Sequence, residues 1–317
     1  MVIQSVKQFH QFSNLPPELR NHTLTFAEPK SLWNYSQCSN QCNAEVQKLR
    51  TNAPFGIWIQ EGTNGFMMSL GYSKSNVVPD PCKDESLNYV RGPAKFDEDV
   101  TYDEAMEIVE DHIIRAFKYV KERTTRHMSL LMDKWPAKLM SSGLITELDF
   151  LHVLIRDTML DKFVEFAKST KTRVKELQML DWSRSKPISI DKEKMKQVFE
   201  TEFFKQAQNV NINVSCDIDD EDFLGFKNPK IILPVKNRRI NDDAIRQKVA
   251  QINDSPLEHK IRIRIPNEDP HPFNLEELFP PRDPDVEYLR WDTCQIGNVY
   301  VKDCGRWKIE IFNRFRE

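Results

Sequence analysis

The densest concentration of potential chemistry in the chain is acidic. Asp217, Asp219, Asp220, Glu221 and Asp222 crowd five carboxylates into six positions. They directly follow Val210–Cys216, a run that reads as a strand. Carboxylates at a strand end can hold Mg²⁺ for phosphoryl chemistry. A nuclease built this way needs a second carboxylate on the next strand, Ile231–Lys236, and Pro234 stands in that place. A solvated acidic loop is therefore the expectation. A metal-dependent hydrolase using residues 217–222 stays open as an alternative.

Cys38 and Cys42 offer two sulfur ligands at short spacing. A closed zinc site needs four ligands, usually in paired short spacings. Only the distant Cys82 and His10 or His22 could complete the set, so free thiols are expected and no metal ligand is assigned. Cys294 and Cys304 lie on neighbouring terminal strands. His152, beside Leu151 in an apolar run, reads as a core histidine with a hydrogen-bond partner rather than a base, and His112 reads the same way. Glu104, Glu107, Glu110 and Asp111 read as the wet face of a helix. No phosphate-binding glycine loop, nucleophile elbow or zincin motif occurs. No catalytic residue and no cofactor is assigned.

Basic residues gather at Lys168–Lys175, at Lys236, Arg238 and Arg239, and on the alternating strand Ile261-Arg262-Ile263-Arg264-Ile265. Such alternation buries one face and leaves the other basic. With Trp291, Tyr300 and Trp307 nearby, these residues would form a nucleic-acid surface if they shared a face. The net charge of −3 argues against bulk attraction to nucleic acid or to an anionic membrane.

These groups need elements to hold them. Phe55–Tyr72, with Asn64-Gly65 between apolar runs, predicts a hairpin. Thr101, a capping residue with Glu104 three positions on, opens a helix whose stripe runs through Ala105, Ile108, Val109, Ile113, Ala116, Phe117 and Val120. Helical spacing also predicts helices over 124–140, from Thr146 through Phe166, and from Ser189 through Phe203. Strands are predicted at Val210–Cys216, Lys230–Lys236, Lys260–Ile265, Asn298–Val301 and Trp307–Phe312. Gly297 and Gly305 mark turns between the last of them. The class is α+β, in three parts: residues 1–100 with a motif helix and the hairpin, a helical block over 101–208, and an antiparallel β-rich region over 209–317.

One stretch reads as a named motif: Phe9-x-x-Phe12-x-x-Leu15-Pro16-Pro17-Glu18-Leu19-Arg20, with Ala27 and Pro29 beyond. Ser13 or Asn14 can cap a helix there, and the prolines occupy a first turn that has no N–H to lose. This stretch resembles the opening of the fungal two-ExR family. The resemblance is concentrated in Phe9–Pro29; the nearest second motif, Glu45-Val46-Gln47, ends in Gln rather than Arg. The Leu-Pro-x-Glu-Leu pattern is also similar to the first helix of F-box domains, which bind a Skp-type adaptor. The resemblance implies an interaction protein whose partner contacts are Leu15, Glu18, Leu19 and Arg20. Within the chain, Leu15, Leu19, Leu24 and Phe26 are expected to dock the helix internally. Glu18 and Arg20, two apart on a helix, do not face each other and should make separate contacts.

The 317 residues suffice for one large or two ordinary domains. No apolar run approaches the roughly 20 residues of a membrane span, and the first residues lack the pattern of a secretory signal. The expectation is an intracellular, cytoplasmic or nuclear, non-enzymatic interaction protein with a protein partner. The alternatives are a nucleic-acid-associated component using Lys236, Arg238, Arg239, Arg262 and Arg264, and the hydrolase.

Overall fold

The structure, a computed structural model, describes residues 14–25, 27, 31, 35–48, 55–62, 65–71, 94–95, 101–117, 124–155, 157–180, 189–190, 192–216, 218–234, 240–264, 274–290, 292–305 and 308–313. Contacts divide the chain into two units: Met1–Ser129 with Pro136–Glu147, and Leu130–Trp135 with Leu148–Glu317.

The first unit holds α1 (Pro17–Thr25), α2 (Asn40–Lys48), β1 (Phe55–Gly62), β2 (Gly65–Gly71), β3 (Ala94–Lys95) and α3 (Tyr102–Phe117). β1 and β2 form the expected antiparallel hairpin, closed at Gly62 and Gly65, and β3 pairs with β2. Alternate residues Ile57, Ile59, Phe66 and Met68 point into the core. On α3, Ala105, Met106, Val109 and Ile113 bury at helical spacing. The Thr101 capping box forms: its backbone N–H donates to Glu104 at 2.8 Å, and the Glu104 N–H donates back to Oγ1 at 3.3 Å. Glu110 departs from the expected wet face. Its buried carboxylate accepts the Leu139 N–H at 2.8 Å, on the short helix α4 (Ala137–Ser141), and burial raises its pKa. An orphan donor in the first turns of a helix is thereby satisfied.

The second unit is an α/β sheet. Its strands are β5 (Glu147–Leu154), β6 (Arg173–Leu180), β8 (Asn209–Asn213), β10 (Lys230–Pro234), β11 (Lys260–Arg264), β12 (Val286–Arg290), β13 (Thr293–Ile296), β14 (Val299–Asp303) and β15 (Lys308–Asn313). β7 (Ser189–Ile190) and β9 (Ser215–Cys216) form a separate parallel pair. The order in the main sheet is β5-β6-β8-β10-β11-β15-β14-β13-β12. β6, β8, β10 and β11 pair in parallel. β15, β14, β13 and β12 then continue antiparallel.

From β5 to β11 the spatial order is the chain order. Right-handed crossovers then place every linking helix on one face of the sheet. These helices are α5 (Asp157–Ser169), α6 (Lys192–Phe199), α7 (Glu202–Lys205), α8 (Asp220–Gly225) and α9 (Asp242–Asn253). Burial follows this arrangement. Leu177, Met179, Val210, Ile212, Ile231, Leu233, Ile261 and Ile263 are buried beneath the helices. An aromatic cluster fills the layer: Trp135 packs edge-on against Phe163 at 5.4 Å, Phe166 against Phe203 at 5.5 Å and Phe199 against Phe226 at 5.0 Å. Gln178, Asn211, Ile232, Arg262 and Tyr300, at the alternate positions, are only half-buried.

Two predicted helices are strands. Residues 124–131 form β4 (Thr124–Leu131) and 147–154 form β5. Leu148, Leu151 and Ile155 satisfy a helical stripe, yet Leu151, Val153 and Ile155 satisfy an alternating one equally well. The β-branched Thr124 and Thr125 favour the strand. Helices α3 to α7 are thus interrupted by β4, β5, β6 and β7, so 101–208 alternates strand and helix. The carboxyl-terminal third is mixed rather than purely antiparallel, because β8, β10 and β11 run parallel.

Candidate interaction surfaces

The motif helix α1 begins at Pro17, with the Arg20 N–H donating to the Pro16 carbonyl at 3.0 Å. One side is anchored: Leu24, 5% exposed, packs with Tyr35 and Val46, and Ala27 and Cys42 lie against them. Arg20 Nη2 meets Glu45 Oε1 at 3.1 Å, and Tyr35 donates to Glu45 Oε2 at 2.6 Å. Glu45 of the Glu45-Val46-Gln47 stretch thus receives Arg20 of the Leu15–Arg20 stretch. Burial, reinforced by Glu45, raises the Tyr35 pKa, so the phenol stays a donor.

The expected internal docking of Leu15 and Leu19 is not found. Leu15 is 37% exposed and Leu19 53%, and Glu18 is exposed beside them. The 3.6-residue period explains the split: with Leu24 inward, position 19 lies five residues back, well away from its face. Arg20 meets Glu45, whereas Glu18 stands exposed. Phe9, Phe12, Ser13, Phe26 and Pro29 lie outside the described residues.

The acidic run is largely committed to structure. Asp219 caps α8, accepting the Asp222 N–H at 2.9 Å, and its carboxylate also takes Lys192 at 2.6 Å. Lys192 foremost, with the Asp222 N–H, lowers the Asp219 pKa. Asp222 completes the capping box, and burial raises its pKa. Asp220 accepts the Asn241 N–H at 2.8 Å and is also bonded by the Asn241 side chain. Asp217 lies outside the described residues. Cys38, Cys42, Cys294 and Cys304 are free thiols, and no cluster of metal-binding side chains occurs among the described residues. His152 has no hydrogen-bond partner among the described residues, contrary to expectation. Burial draws its pKa down to about 4, and it lies 6.1 Å from the Phe150 ring.

The face of the second unit's sheet away from its helices carries a hollow of about 400 Å³. Phe150, Gln178, Asn209, Asn211, Lys230 and Arg262 line it, as do Glu176 and Lys260. Strand register sets one row straight across: Gln178, Asn211, Ile232, Arg262, then Glu310. Glu310 is buried, and its Oε1 takes both Lys260 at 3.1 Å and Arg262 at 2.8 Å. Burial alone would raise the Glu310 pKa; those two hydrogen bonds outweigh it and lower it. Arg262 Nε is buried and unbonded among the described residues. Arg264 is exposed at the end of β11. Tyr300 stacks on Phe312 at 5.3 Å, ring against ring. Lys236, Arg238, Arg239, Trp291 and Trp307 lie outside the described residues, so of the five basic residues named from sequence the structure places Arg262 and Arg264 together on β11.

Lys230, Gln178, Asn209 and Asn211 were not singled out by sequence reading. The alternation Asn209-Val-Asn-Ile-Asn213 is the signal that marks Asn209 and Asn211. Comparison with known proteins gives no match to a family model, to a curated protein or to a solved structure. No helix among the described residues is long and apolar enough to cross a membrane.

Proposed function

We propose that this chain is a non-enzymatic, intracellular interaction protein that uses α1 as a contact for a partner protein. One observation carries the reading: Leu15 just before α1, and Glu18 and Leu19 on it, are exposed, while the helix is anchored from its other side by Leu24 and by the Arg20–Glu45 pair. An exposed leucine taken singly is ordinary. Two exposed leucines at the start of one anchored short helix, in a pattern similar to the adaptor-binding helix of F-box domains, support a helix read by a partner groove. The free thiols suit a reducing compartment. Arg20 then serves by holding the helix to α2.

Leu19→Ala tests this directly. Wild-type and variant proteins are immobilised and probed with a purified Skp-type adaptor, and with lysate read by quantitative mass spectrometry. The reading expects proteins retained by wild type to be lost from a variant with an unchanged melting curve. Identical retention by the two proteins would overturn it.

A further inference from the structure

The face of the second unit's sheet away from its helices has the chemistry of a second binding surface. Its hollow is lined by three cations, Lys230, Lys260 and Arg262, and by one acid, Glu176. Glu176 is itself engaged, accepting the Asn209 side-chain N–H at 2.7 Å. Glu310 neutralises part of the Lys260 and Arg262 charge. Lys230 is exposed and has no ion-pair partner among the described residues. Arg262 Nε is a buried donor without an acceptor; leaving such a donor unmatched is costly, and a ligand oxygen would relieve it.

Next to these cations stand Gln178 and Asn211, half-buried and without side-chain hydrogen bonds among the described residues. Each offers both a donor and an acceptor, the pair of functions that a peptide backbone presents. Ile232 follows in the same row as a small apolar contact. Across four strands at about 4.8 Å spacing the row spans roughly 14 Å, the length of about four extended residues.

We infer that this face binds an extended acidic segment of a partner protein, its backbone lying on the Gln178–Asn211 amides and a carboxylate placed between Lys230 and Arg262. Nucleic acid fits the same face less well. Its cations are partly neutralised by Glu310, and Tyr300 and Phe312 already stack on each other. The proposal rests on the reading of this chain as an interaction protein, but uses a surface separate from α1.

The test is selection from a random-peptide phage library on the full chain, followed by fluorescence polarisation of a selected, labelled peptide. The expected outcome is enrichment of Asp or Glu, and binding that weakens at least tenfold in Lys230→Glu and in Asn211→Asp. Circular dichroism identifies folded variants, and Lys230→Ala substitutes for any variant that is not. Leu19→Ala should bind the peptide normally, so failure of the α1 contact and failure of this surface are read apart. Selected peptides without acidic residues, or equal affinity in the Lys230 and Asn211 variants, would overturn the proposal. So would displacement of the peptide by a 12-nucleotide single-stranded RNA whose own binding depends on Lys230.

Discussion

Leu19 and Leu24 are the same residue type on one nine-residue helix, and the structure gives them opposite fates. Replacing each by alanine therefore separates burial from sequence. Leu24 is 5% exposed, and truncating a buried leucine costs roughly 2–5 kcal/mol through lost transfer energy and a residual cavity. Among the described residues its cluster is small, with Tyr35, Val46, Ala27 and Cys42 around it. The surroundings can partly collapse, which places the loss at about 2–3 kcal/mol. Leu19 is 53% exposed; such positions contribute within about 0.5 kcal/mol, and the higher helix propensity of alanine offsets part of that. Hydrogen exchange read by mass spectrometry on peptides covering α1 and α2 measures the local difference. Leu24→Ala should speed exchange there by about 30- to 150-fold, since each 1.4 kcal/mol is a factor of ten. Leu19→Ala should change it by no more than about twofold to threefold. Equal effects, or a Leu19 loss above about 1 kcal/mol, would refute the assignment of the two faces of α1.

Phe163, fully buried and edge-on to Trp135 and Phe203, should cost about 3–5 kcal/mol as Phe163→Ala, measured by urea unfolding; a wild-type transition would contradict its place in the core. Lys248 is buried on α9 and donates to the Leu224 and Phe226 carbonyls at 3.2 and 2.5 Å, and burial, with Lys227, draws its pKa from 10.5 to about 8. The unfolded chain binds more protons between those values, so stability from this group rises with pH from about 8 to 10.5, by up to about 3 kcal/mol. Lys248→Met should remove that rise from the stability profile, and an identical slope in the variant would count against it. Glu310, its pKa lowered by Lys260 and Arg262 against the opposing effect of burial, contributes stability above its unfolded value of 4.5 that is lost as pH falls below it. Glu310→Gln should be less stable at pH 7, with the difference shrinking toward pH 3; a difference independent of pH would show that the charge is not what matters.

What could be read from the chain depended on how each element meets water. α3 was legible because one face is wet and a capping box marks its start. The β1–β2 hairpin and strands β10, β11 and β15 were legible from their alternation and turns. β4 and β5 were misread because their apolar residues fit two periods over so short a run. The parallel arrangement follows from β5 alternating with helices, so misreading β5 hid it. α9 went unread although Asn241 and the spacing Ile245, Lys248, Val249, Ile252 announce it; the lysine within the stripe masked its apolar face. The exposed Leu15 and Leu19 were legible as types but not as faces, since the sequence does not say which side of a short helix finds a core. The hollow on the open sheet was the least legible feature, because its lining comes from five separate strands that only the register brings together.

The position of β15 sets an order of events during synthesis. It lies between β11 and β14, although the ribosome makes it after both. Until it arrives, β11 presents an unpaired edge of backbone donors and acceptors to other nascent chains, and β14 has no partner on that side. Such edges invite pairing between molecules. Lys260, Arg262 and Arg264 lie along this waiting strand, and their mutual repulsion between copies guards it until the final strand slots into the gap.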